Sequence, residues 1–363
     1  MLLQFITWAK ATHNIKPCIL LLYGGDLEPE FKSLGPTFNL SAHAGSATLI
    51  EKIIGKYSLA KKKDRYFLRI LNEIKKHQPS ICYANTIVSA AVLPAIKEVL
   101  QIPVLLHVHE MAFSATTFYR QYLKQNYFEV PAKFIAVSEE VKSFLTGQMN
   151  VTASKVTVIP PFIADQFINT VTSAKPLNRA KFAVGFSGFG GWRKGIGLMP
   201  VLIKEVDKIK PVSVDVSFLW VGNIPGIEQQ QLSYLLGMLG LSESLVVTGH
   251  VDDPSVYYQQ MDAFVLLSVE DPYPLVCMEA ACFELPVLCF DKCGGAADFV
   301  SGDCGIAVSF IDIPAMAAAI VNLIEDRDLR NRIGTNARIK AQHYSIDKTA
   351  PKMWQELGQL FSA

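Results

Sequence analysis

The stretch AFVLLSVEDPYPLVCMEAACFELPVLCF, residues 263–290, decides the fold. It opens on an apolar, β-rich run (263–268) and turns at Glu270-Asp271-Pro272. A helical pattern starts near Pro274, and a second β-rich run, PVLCF (286–290), comes after it. Strand, helix and strand in that order mark a parallel sheet covered by a crossover helix. Pro274 suits a first helical turn because it has no N–H to leave unsatisfied. The N–H groups of Leu275 and Val276 are then free to meet an anion.

The same rhythm extends in both directions. Downstream of it lie helical patterns at 312–325 and 327–341, and a last helix candidate at 347–361 that carries Trp354 and Leu357. Upstream, strand patterns fall at 181–188, 216–222 and 244–250. Prolines and polar residues interrupt the pattern at 160–180, as a linker would. Before them a first set of strand patterns occupies 18–23, 81–85, 103–108, 133–138 and 155–160, with helical patterns at 58–77, 87–100, 115–126 and 139–147. The fold expected is α/β, with two Rossmann-like domains at 1–165 and 178–342 facing across a cleft. The helix 347–361 is expected to pack back on the first domain. Any site belongs in the cleft, at the carboxyl ends of both sets of strands.

Three segments carry chemistry. In SGFGGWRKGIGL (187–198) a strand ends at Ser187, and a helix is expected to start near Lys194. Gly188, Gly190 and Gly191 allow close backbone approach to phosphate oxygens, and Arg193 and Lys194 supply charge. A plain glycine-rich turn with solvated basic residues is the bland alternative. In the quoted stretch, Glu279 stands among Cys277, Met278, Ala280, Ala281 and Cys282. A carboxylate in so apolar a helix needs a partner, either a salt bridge or the hydroxyls of a ribose. In HVHEM (107–111), at the end of a strand, His107, His109 and Glu110 could form a metal site, contact a reacting group or be a plain strand end, and by alternation His107 faces the same side as His109.

Composition narrows the classes. Half of the 363 residues are apolar and 18% are charged, which suits a large buried core. A net charge of +1 does not point to nucleic acid. The seven cysteines are odd in number and several lie in apolar strand-like runs, as reduced thiols do. The set Cys289, Cys293 and Cys304 lacks a CxxC and a nearby histidine, so no metal is expected. No run approaches the roughly 20 apolar residues that span a bilayer, and the opening is not a signal peptide, so a cytoplasmic chain is expected. Residues 52–77 are basic with an apolar face, a pattern compatible with peripheral contact with anionic lipid on the inner face of the plasma membrane or with an ordinary solvated helix.

Glu270 to Phe290 resembles the signature of glycosyltransferase family 4, in which an acidic residue and a glutamate eight positions later bracket the donor. Asp271 and Glu279 hold the acidic positions, and Ala280, Pro286 and Val287 match the downstream part of the signature. The chain departs in having Asp271 preceded by Glu270, and Glu284-Leu285 where the family has a glycine before the proline. WRKG (192–195), FIAVSEEVKSFL (134–145), VTVIPPFI (156–163) and GHVDDPSVYYQQMDAFVLLS (249–268) extend the resemblance over nearly the whole chain. Phe189 stands where the family usually has an arginine, and Arg193 is the candidate substitute.

The resemblance implies the GT-B fold and a retaining transfer from a UDP- or GDP-linked nucleotide-sugar, without cofactor or metal, to a glycan or lipid-linked acceptor in cell-surface polysaccharide synthesis. It assigns the donor diphosphate to Lys194 and the Leu275–Val276 turn, the ribose to Glu279, and the transferred sugar to Asp271 and His109. It also implies that MLLQFITWAKATHN corresponds to the family's first helix and CILLLYGG to its second strand, so that the first domain lacks its first strand. Alternatives are a nucleotide-sugar-binding protein without catalysis, a two-domain sugar-phosphate epimerase and a bilobal solute-binding protein.

Overall fold

The computed structural model describes residues 1–43, 65–170 and 181–361. The chain forms two compact units, one from Met1–Pro161 with Ile346–Ala363 and the other from Phe162–Ser345.

In the first unit the strands are β1 (Ile19–Leu21), β2 (Thr37–Asn39), β3 (Cys82–Asn85), β4 (Val104–Val108), β5 (Lys133–Ala136) and β6 (Val156–Val158). Among the described residues they form two separate parallel sheets, β1-β2 and β3-β4-β5-β6. All five residues of β4 are buried, as an apolar strand covered on both faces requires. The helix Arg65–Lys76 buries Phe67, Ile70, Leu71 and Ile74, one helical stripe, while its polar residues face outward. The remainder of the basic stretch, 52–64, lies outside the described residues. At the helix Glu139–Gly147 the Ser138 hydroxyl accepts from Val141 N at 3.4 Å, and Glu139 and Glu140 face the positive helix end. The helix Ile346–Phe361 belongs to this unit, where Trp354 stacks on His13 with ring centroids 4.2 Å apart and Glu356 lies 3.4 Å from Lys133.

The second unit holds β7 (Lys181–Ser187), β8 (Asp215–Val221), β9 (Leu245–Val247), β10 (Ala263–Leu266), β11 (Val287–Phe290) and β12 (Gly305–Val308) in one parallel sheet of order β12-β11-β10-β7-β8-β9. The strand that comes first in the chain is therefore central, and the order reverses between β7 and β10. Loops leaving the carboxyl ends of these two strands part there and open a crevice. Every residue of β10 and β11 is buried, which the unbroken apolar runs required. Asp262 Oδ2 accepts from Ala183 N at 2.9 Å and pins the start of β10 to β7. Asp312 and Asp326 cap the helices Ile313–Glu325 and Arg327–Ala341 through Ala315 N and Leu329 N.

The structure corrects several sequence expectations. The helix expected at 115–126 is three short pieces, Ala112–Phe118, Arg120–Tyr122 and Gln125–Phe128. Thr116 bonds back to Ala112 O, and Thr117, Phe118 and Tyr119 are poor helix formers. The helix expected from 87 begins as a 3₁₀ turn, Ile87–Val92, and becomes α-helical only at Leu93 with Pro94 in its first turn. β2 and β12 had no strand pattern to announce them. All seven cysteines are unpaired thiols. Among the described residues no helix is long and apolar enough to cross a membrane.

Candidate functional site

At the end of β7 the chain enters Gly188 at φ +135°, a conformation that favours glycine, and Gly188 N donates to Val221 O at 2.9 Å. Gly190 N donates to Asn223 O at 2.7 Å, so the loop lies against the end of β8. A 3₁₀ turn, Trp192–Lys194, comes next and ends at Gly195, φ +70°, where an added Cβ would stand 2.0 Å from Leu267 O. The α-helix begins only at Met199, not near Lys194. Gly195 and Gly197 interrupt the helix, and Pro200 supplies its first turn. Lys194 thus rides on a tight turn packed against the loop after β10.

That second loop is stitched to the first. Val269 N donates to Arg193 O at 2.8 Å, which leaves Arg193 half-buried beside the acidic pair. Lys194 Nζ donates to Asp271 Oδ2 at 2.6 Å, and the Ser268 hydroxyl reaches the same oxygen at 3.3 Å. Asp271 N donates to Cys293 O at 2.7 Å. Glu270 and Asp271 are each only 5% exposed, so charge here is held out of water. The family resemblance gives Lys194 to a diphosphate and Asp271 to a sugar. The structure shows the two neutralising one another across 77 positions of sequence.

The next helix is Leu275–Cys282, with Pro274 as its N-cap residue rather than its first helical residue. The N–H groups of Leu275 and Val276 precede the first intrahelical bond and face the same loop end. Glu279 is one turn on, and helical side chains lean toward the N-terminus, so its carboxylate shares that end of the helix. Tyr258, fully buried, donates to Glu279 Oε2 at 3.0 Å. Burial raises the Glu279 carboxyl above its ordinary pKa, while the Tyr258 bond and the nearby Lys194 charge oppose the rise. A lysine, a free helix end and a carboxylate with one oxygen already satisfied suit a ligand that is anionic at one place and rich in hydroxyls at another.

In the first unit, the carboxyl ends of β3 and β4 assemble a second cluster. His107 and His109 share a face, with ring centroids 4.1 Å apart. His107 is buried against the Tyr83 hydroxyl at its Nδ1, and its Nε2 has no hydrogen-bond partner. His109 Nε2 meets Asn85 Oδ1 at 2.9 Å, which places the proton on Nε2 and leaves Nδ1 as the acceptor. Burial, aided by the positive chain terminus, lowers the His109 pKa to about 4, so the ring is neutral near pH 7. Glu110 Oε2 accepts from His109 N at 3.0 Å and Ile87 N at 3.1 Å, and so clamps the two strand ends together. Between Asn85 and Ile87, Thr86 takes φ +69°, a strained state for a β-branched residue. Among the described residues no group of three or more His, Cys, Asp or Glu side chains is set to hold a metal.

Two family profiles match the chain: Glycosyltransferase Family 4 over residues 37–167 and Glycosyl transferases group 1 over residues 173–340. The chain belongs to the family 4 glycosyltransferases.

The capsular polysaccharide biosynthesis glycosyltransferase CapM of Staphylococcus aureus is 27% identical over 238 residues, 63% of this chain and 60% of that protein. An N-acetylgalactosamine-N,N'-diacetylbacillosaminyl-diphospho-undecaprenol 4-alpha-N-acetylgalactosaminyltransferase of Campylobacter jejuni is 24% identical over 41% of this chain and 40% of its own length. The match thus spans less than two thirds of either relative. Among solved structures, Anabaena HepE in complex with UDP has a TM-score of 0.77 at 19% identity, covering 99% of this chain and 95% of that one. A glycosyltransferase of Rickettsia africae has a TM-score of 0.75 at 18% identity, with 99% and 93% covered. At these identities the structures show a shared GT-B fold.

Within this glycosyltransferase chain, three polar groups that organise the clusters escape a reading of the sequence. Tyr258 stands in the short helix Ser255–Tyr258, where nothing local marks it as a partner of Glu279. Asn85 is the polar terminus of an otherwise apolar run, ICYAN, which is an available signal. Ser268 closes the run before the acidic pair, and its hydroxyl is equally available as a signal.

Proposed function

We propose that the protein transfers a sugar, with retention, from a UDP- or GDP-linked donor to a glycan or lipid-linked acceptor in the synthesis of a cell-surface polysaccharide. The observation that carries this reading is the joining of Lys194, the first turn of Leu275–Cys282 and Glu279 at the switch point of a Rossmann sheet. A diphosphate entering there competes with Asp271 for the Lys194 ammonium and takes the N–H groups of Leu275 and Val276. The Glu279 oxygen not held by Tyr258 accepts the ribose hydroxyls. Asp271, released from Lys194, turns to the hydroxyls of the transferred sugar. Charge developing on the departing nucleoside diphosphate then meets preorganised donors in a site poor in water, an effect worth about 3–4 kcal/mol per donor in comparable oxyanion sites.

On the other unit, neutral His109 has Nδ1 to accept a hydrogen bond from a sugar hydroxyl without adding charge. No metal or organic cofactor is invoked. The staphylococcal relative is named for capsular polysaccharide biosynthesis, and the Campylobacter relative for a diphospho-undecaprenol-linked acceptor. These names support the acceptor class proposed.

A panel of UDP- and GDP-sugars, assayed for nucleoside diphosphate release with and without polyprenyl-diphosphate-linked glycans, tests the reading. Release from one donor class that rises with acceptor is expected. Tight donor binding with no turnover on any acceptor would favour a non-catalytic nucleotide-sugar-binding protein.

A further inference from the structure

Glu279 is held by a residue remote in sequence. Tyr258 has no exposed surface, and its ring sits among Phe283, Phe264 and Phe167, with centroids 5.4, 6.0 and 6.4 Å away. Its single phenolic proton goes to Glu279 Oε2 at 3.0 Å. The donor to Glu279 is therefore caged by aromatic rings. A donor held in such a cage fixes the direction of a carboxylate more firmly than one on a mobile side chain.

We propose that Tyr258 is the positioning residue for Glu279: it occupies one carboxylate oxygen so that the other is presented to the nucleoside. The inference rests on the reading of Glu279 as a nucleoside contact. Tyr258 touches neither donor nor acceptor and acts through Glu279. The titratable groups that bear on Glu279 are Tyr258 from its short helix, Lys194 from the 3₁₀ turn, and Cys277 and Cys282 on its own helix. Burial already pushes the Glu279 carboxyl up, and the Tyr258 bond opposes this, so loss of the phenol raises it further. The carboxylate would then be protonated at a higher pH, and nucleoside affinity would fall earlier on acidification.

Tyr258→Phe keeps the caged ring and removes only the hydroxyl. Its affinity for UDP, GDP and inorganic pyrophosphate is measured by calorimetry from about pH 5.5 to 8.5, beside Glu279→Gln and the double variant. The expected result is a loss of about tenfold for the favoured nucleoside diphosphate, larger toward acid, with pyrophosphate affinity unchanged. In Glu279→Gln the pH dependence disappears, and adding Tyr258→Phe costs nothing more. A weakened Glu279→Gln beside an unaltered Tyr258→Phe overturns this inference alone. Wild-type affinity in Glu279→Gln overturns the nucleoside reading and this inference with it. Equal losses for nucleoside diphosphate and pyrophosphate, with a lowered melting temperature, make Tyr258 a core residue and overturn the inference as well.

Discussion

Replacing Lys194 with alanine should harm the free protein as well as its complex with donor. Lys194 Nζ lies 2.6 Å from Asp271 Oδ2, with side-chain exposures of 16% and 8%. Removing one partner of a buried pair leaves an uncompensated charge, which costs about 3–5 kcal/mol. The Ser268 hydroxyl still reaches Asp271, so the lower end applies, about 3 kcal/mol. For a unit of this size that corresponds to a fall of roughly 6–12 °C in melting temperature. Lys194→Ala combined with Asp271→Asn removes both charges and should recover all but about 1 kcal/mol. Affinity for UDP or GDP should fall about a hundredfold in the single and the double variant alike, because neither has a cation for the diphosphate. Calorimetric melting and titration of the three proteins decide the matter. A single variant that melts with the wild type, or a double variant that regains nucleotide affinity, would refute the reasoning.

Gly195→Ala puts a Cβ 2.0 Å from Leu267 O at φ +70° and should destabilise the second unit by about 2–4 kcal/mol in denaturant melts. Gly191→Ala, at extended φ −178° with nothing within 4 Å of the new Cβ, should melt like the wild type yet bind UDP or GDP more weakly if the diphosphate lies on that backbone. His109 has a folded pKa near 4 against an ordinary 6.5, so its contribution to stability is complete above pH 6.5 and is lost as the pH falls toward 4. His109→Asn should flatten that part of the stability profile, and an unchanged acid slope would locate the titrating group elsewhere. EDTA should leave transfer unchanged, while strict dependence on added magnesium or manganese would contradict the metal-independent reading.

What the sequence made legible depended on the range of the interaction. β10 and β11 could be read because each is a run of four buried residues in a row, and the helix Arg327–Ala341 because its boundaries are set by local caps. β2, three residues with polar ends, and β12, with a glycine and an alanine among its four, had no pattern strong enough to read. Lys194, Asp271 and Glu279 stood out by chemical type against apolar or glycine-rich surroundings. The pairing itself did not, because Lys194–Asp271, Tyr258–Glu279 and Asn85–His109 are brought together by sheet order rather than by sequence spacing. The 3₁₀ turn at Lys194 reads as a helix start because glycines that bind phosphate and glycines that break a helix look alike in a string of letters.

The most direct measurement of the central claim is a crystal structure of the wild-type protein with its preferred nucleoside diphosphate. The account predicts the ribose within hydrogen-bond distance of Glu279 and the diphosphate on Lys194 and the N–H groups of Leu275 and Val276, with the Lys194–Asp271 contact lengthened from its present 2.6 Å. A nucleotide bound away from Glu279, with the Lys194–Asp271 pair intact, would contradict it.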